Sequence, residues 1–99
     1  MKEITPKEFI LLPKYKQTCC VIHNNGTKFW YKNGRIHRDD GPAVESADGT
    51  KFWYKNGKIH REDGPAREYA NSYKEYWLND KEYSYNEWYA IVNKLERFI

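Results

Sequence analysis

Two short clusters hold the side chains best suited to proton transfer or metal binding: His37 followed by Asp39 and Asp40, and His60 followed by Glu62 and Asp63. An imidazole beside two carboxylates can hold a divalent ion or act as a general acid and base. The competing reading is architectural: Asp40 and Asp63 bond turn amides and pair with Arg38 and Arg61, while each histidine packs on a ring. The clusters occur twice, and this favours architecture, because a turn must recur in every copy of a structural unit whereas an active site need not. The expectation is a chain that is no enzyme and has no catalytic residue, metal or cofactor. Cys19 and Cys20 are adjacent in an expected strand, so their side chains face opposite ways and cannot easily bond to each other. No CxxC spacing exists to support zinc or thioredoxin-type chemistry. Ser46, Ser72 and Ser84 lack a nucleophile-elbow context, and there is no Gly-rich phosphate loop.

Both clusters lie inside a longer repetition. The stretch "KFWYKNGRIHRDDGPA" from Lys28 returns as "KFWYKNGKIHREDGPA" from Lys51. Over 27–49 and 50–72 the only differences are Arg35/Lys58, Asp39/Glu62, Val44/Arg67, Ser46/Tyr69, Asp48/Asn71 and Gly49/Ser72, leaving 17 of 23 positions identical. A decayed third copy has Lys74, Tyr76 and Asn79 where Lys51, Trp53 and Asn56 stood, and one period before Val44 and Gly49 stand Val21 and Gly26. Atypical end units are what a stacked array needs to finish its edges.

Each unit reads as a β-hairpin: Lys-Phe-Trp-Tyr-Lys favours a strand, and Asn33-Gly34 or Asn56-Gly57 is a strong tight-turn signal. A second reversal follows at Arg38, Asp40, Gly41 and Pro42, and again at Arg61, Asp63, Gly64 and Pro65. There the glycine can adopt positive φ, and the following proline fixes its own φ and removes a ladder donor. "VESA" and "REYA" are short strands, so an antiparallel meander runs from about Thr18 to Tyr83. Both ends look helical. Thr5, Pro6 and Glu8 form a start signal for about two turns with Pro13 as a stop, and Ser84 with Glu87 forms a second capping box. Beyond Ser84 the residues Trp88, Ile91, Val92, Leu95 and Phe98 recur at helical spacing, and this stripe is expected to lie on one face of the meander. The fold class is mainly β with terminal helices (α+β), in one domain. It divides into 1–26 (N-terminal helix and half-repeat), 27–49 (repeat 1), 50–72 (repeat 2), 73–83 (partial repeat 3) and 84–99 (C-terminal helix).

Seventeen Lys and Arg against fourteen Asp and Glu give a net charge of +3, mild for a dedicated duplex-DNA binder. The short run "FILL" is too brief for a signal core or a membrane span. With two unpaired cysteines as well, the expected location is cytoplasmic, without membrane association. Two-residue type I′ loops would set Tyr31 opposite Ile36 and Trp30 opposite His37. One face then holds Phe29, Tyr31, Ile36 and their copies. The other carries Lys28, Trp30, Lys32, Arg35 and His37 with Lys51, Trp53, Lys55, Lys58 and His60, a basic and aromatic surface suited to a partner. A three-residue loop with a glycine bulge would instead shift the pairing by one and bury Trp30 beside Ile36. The C-terminal helix could also cover the tryptophan column.

The string Tyr-Lys-Asn-Gly-Lys-x-His closed by Asp-Gly resembles the membrane occupation and recognition nexus (MORN) repeat. It is still more similar to a branch reading W-x-x-N-G-x-x-H-R-x-D-G-P-A, found in small proteins of large tailed phages and giant viruses. The resemblance implies stacked hairpins serving as a binding or spacing module, with no activity common to the family. His-Arg in place of His-Gly, with an added Asp and Pro, departs from the common pattern, so lipid binding is not carried over. The expected function is a phage-encoded binding module that inhibits or redirects a host protein from the host cytoplasm. The alternative is single-stranded nucleic-acid or nucleotide binding through the basic and aromatic face. Open sheet edges could also pair in a homodimer.

Overall fold

The computed structural model describes residues 3–13 and 17–94. The elements are β1 (Glu3–Ile4), α1 (Pro6–Ile10), β2 (Cys19–Ile22), β3 (Lys28–Lys32), β4 (Arg35–Ile36), β5 (Val44–Glu45), β6 (Lys51–Phe52), β7 (Tyr54–Lys55), β8 (Lys58–Ile59), β9 (Arg67–Glu68), β10 (Lys74–Leu78), β11 (Lys81–Tyr83) and α2 (Tyr85–Val92). The chain is mainly β with a short helix towards each end, and it forms a thin plate of 51 × 31 × 18 Å. Among the described residues no helix is long and apolar enough to cross a membrane.

Across the plate the order is β1-β2-β3-β5-β6-β9-β10-β11, with β4 on β3 and a separate β7–β8 ladder. Each long strand divides its pairing. Lys28 and Phe29 bond to β5, whereas Tyr31 and Lys32 turn back onto β4. The loop is the two-residue type, with Asn33 at φ 50 and Gly34 at φ 80 between the Lys32–Arg35 pair. The second hairpin repeats this at Asn56 and Gly57, and the third uses Asn79 and Asp80. Phe29, Tyr31 and Ile36 therefore share one face, and Lys28, Trp30, Lys32, Arg35 and His37 the other.

The two adjacent cysteines point apart. Cys19 joins Ile4 and Val21 in a cluster closed by Phe9 and Leu12 around α1, with Tyr31 packed against it. Cys20 lies opposite Trp30 on the other face, and neither cysteine forms a disulfide among the described residues. Both helix starts have complete capping boxes, Thr5 with Glu8 and Ser84 with Glu87. Three features depart from the sequence expectations. The α1 helix is shorter, at five residues, and β1 adds a parallel strand on β2. In its described part, the C-terminal stripe does not run along the plate. Trp88 is buried against Tyr76 with centroids 4.9 Å apart and donates its indole N–H to the Arg61 carbonyl at 2.9 Å, but Ile91 is 41% exposed, and the helix packs mainly on β10 and β11. An eight-residue helix is about 12 Å long, and starting one residue after the last strand it can reach no further. The expectations at Leu95 and Phe98 lie outside the described residues.

Candidate partner-binding face

His37 is buried and has both ring nitrogens engaged. Its Nδ1 accepts the backbone N–H of Asn56 at 2.8 Å, so the neutral ring carries its hydrogen on Nε2 and donates it to Asp39 Oδ1, also at 2.8 Å. His60 does the same, with Asn79 N–H at 3.1 Å and Glu62 Oε2 at 2.8 Å. Each imidazole thus fastens its own hairpin to the turn of the next. Lys55 reaches Asp39 at 3.1 Å, and this bond, ahead of the one from His37, holds the Asp39 carboxyl below the usual aspartate range.

Arg38 and Arg61 fold back over the tryptophans. The Arg38 guanidinium carbon lies 4.0 Å from the Trp30 ring centroid, and Arg61 lies 3.9 Å from that of Trp53. Arg38 donates to Asp40 at 2.9 Å, to the Pro42 carbonyl at 3.1 Å and to Glu45 at 3.2 Å. Arg61 makes the same set with Asp63, Pro65 and Glu68. The arginine bonds depress the Asp40 and Asp63 carboxyls.

On the far side of each guanidinium stands a glycine. A Cβ on Gly41 would lie 3.2 Å from Arg38 Cζ, and on Gly64 2.8 Å from Arg61 Cζ. Neither glycine is among the positive-φ residues, so the expectation for this turn is corrected: close approach by the arginine requires glycine, not backbone handedness.

The face is also less basic than the lysine pattern suggests. Lys28 is opposite Glu45, Glu45 opposite Lys51, Lys51 opposite Glu68, and Glu68 opposite Lys74. This row of alternating charge places each of Lys28, Lys51 and Lys74 beside an acid. Neither Glu45 nor Glu68 stood out in the sequence, since the face each occupies follows only from strand register.

The expected site residues accordingly divide. Trp30 is 9% and His37 7% exposed, too enclosed to meet a partner as they stand. Trp53 and His60 are half-buried. Lys28 and Lys51 belong to the charge row, with Lys28 also 3.6 Å from Glu3. Lys32, Arg35 and Lys58 are exposed, and Lys55 is held by Asp39. The tryptophans are covered neither by a register shift nor by α2 but by the arginines of their own units. Between the two Asp-Gly-Pro loops a groove of about 860 Å³ opens, with Trp53 and Lys55 among its lining and Arg35, Asn56, Lys58 and Asn79 at the hairpin turns. Among the described residues no group of His, Cys, Asp and Glu side chains could hold a metal ion. Comparison with protein-family models, with curated proteins and with solved structures finds no significant match.

Proposed function

We propose that the chain is a non-enzymatic β-repeat module, stacked at a step of 23 residues, that binds a protein through the face bearing the loops and hairpin turns. The observation that carries this reading is the same in both units. The imidazole, guanidinium and carboxylates that could react or ligate are engaged in holding the loops, and what remains available is surface. In the phage setting that the repeat signature implies, the partner is a host macromolecule that the module inhibits or redirects.

Protein is favoured over single-stranded nucleic acid by two features. The rings needed for stacking lie under arginines, and the charge row sets glutamates among the lysines. Pull-down with the tagged chain from host lysate tests the reading, with and without nuclease and across a salt series. Capture of the same protein after nuclease treatment and at raised salt is expected. Capture that disappears with nuclease, or falls steeply with salt, would favour the nucleic-acid alternative.

A further inference from the structure

The hairpin turns hold charge that the rest of the face does not use. Lys28, Arg38, Lys55, Arg61 and Arg67 each have a carboxylate within ion-pair distance. Lys32, Arg35 and Lys58 have none among the described residues, and all three are exposed at the turns of the first two hairpins. The third hairpin presents Lys81 at the corresponding place.

Each turn also offers an amide. The backbone N–H groups of Asn33, Asn56 and Asn79 are bonded to Thr18, His37 and His60, while their exposed carboxamides make no hydrogen bond among the described residues. A cation beside a free carboxamide, at successive turns, is a donor set for carboxylate oxygens.

The spacing sets the form of the ligand. Successive long strands are separated by one short strand, so the turns advance about 10 Å per hairpin, at about 4.8 Å per strand. A polyproline II peptide returns to the same side every third residue after about 9.3 Å, whereas a β-strand does so every second residue. We infer that the row of turns docks an extended acidic segment of polyproline II form, with a carboxylate at every third residue. The inference rests on the reading of the chain as a protein-binding module and specifies the chemistry of its partner.

Fluorescence anisotropy with labelled peptides tests it directly. The probes are a peptide of repeated Glu-Pro-Pro triplets, an isomer of identical composition with its glutamates clustered, and a short oligothymidylate. The periodic peptide should bind about tenfold tighter than the isomer, and Arg35→Glu with Lys58→Glu should weaken it by at least about tenfold. Lys7→Glu on α1 should leave it unchanged, and circular dichroism should report an intact fold in each variant. No binding of the periodic peptide, equal binding of the clustered isomer, tighter binding of the oligonucleotide, or indifference to the charge reversal would each overturn the assignment. Lysate capture run in parallel separates the two readings. If the charge-reversed chain still captures the same partner, the turn assignment alone fails; if the unaltered chain captures nothing, the module reading fails.

Discussion

Replacing Gly64 with alanine tests the arginine arrangement that organises each unit. The added methyl would lie 2.8 Å from Arg61 Cζ, so the guanidinium must leave its place between Gly64 and Trp53. Three kinds of contact are then at risk. The cation–π contact is worth about 1 kcal/mol, the charged bond to the Pro65 carbonyl about 1.5 kcal/mol, the exposed pair to Asp63 a few tenths of a kcal/mol and the half-buried pair to Glu68 up to about 1 kcal/mol. Because the arginine can recover some bonds by moving, a loss of about 1–3 kcal/mol is expected, measured by urea denaturation at neutral pH. The decisive comparison is with Arg61→Ala. The three nearest atoms to the added methyl all belong to Arg61, so without the guanidinium the penalty should fall to near zero, in a backbone that is not left-handed. Gly41→Ala, where the approach is 3.2 Å, should cost less than Gly64→Ala. A Gly64→Ala penalty that stays the same with Arg61 absent would refute the packing argument.

Trp30→Ala should cost about 3–5 kcal/mol and abolish folding, with Trp53→Ala milder because that ring is less enclosed, as thermal melts would report. Asp39, Asp40 and Asp63 have carboxyls depressed below the ordinary value of 3.8, so their contribution is whole above that value and is lost as the pH falls through the folded ones; melting temperature should drop on acidification there, and Asn at the three positions should flatten the profile. Burial, and then the nearby Glu3 carboxylate, raise the Cys20 thiol, so Cys20 should react with a thiol reagent in the folded chain far more slowly than in denaturant. Deletion beyond Ser84 removes Trp88 from Tyr76, and hydrogen exchange should show β10 and β11 losing protection while β2 and β3 keep theirs.

What the sequence made legible was local. The Asn-Gly dipeptides set the loop length and so the face of every hairpin residue, and both capping boxes formed as their spacing indicated. What it concealed depends on neighbours distant in sequence or on the reach of a side chain. Glu45 belongs to the lysine face only because β5 lies between β3 and β6. Arg38 doubles back over Trp30 because Gly41 leaves room for it, and neither partner signals the other in composition. The parallel pairing of Glu3 with Cys20 has no periodic signature in a two-residue strand.

The row of alternating charge has a consequence for assembly. It discriminates sharply between registers, since sliding a strand by one residue would carry Lys51 to the apolar face. It does not discriminate between copies. In the native plate β3 meets Glu45 of β5 through Lys28, and β6 meets Glu68 of β9 through Lys51. Were β3 to meet β9 instead, Lys28 would face Glu68 and Phe29 would face Arg67, the same contacts that Lys51 and Phe52 already make there. Strands of one unit are thus competent acceptors for those of another, within a molecule or between two. The end elements, β1 with α1 and α2, together with the few differing positions such as Val44 and Arg67, tell the chain which copy is first and which is last. Refolding at high concentration is therefore expected to yield strand-exchanged oligomers beside the native fold, as size-exclusion chromatography would show, a kinetic hazard that near-identical tandem units carry with them.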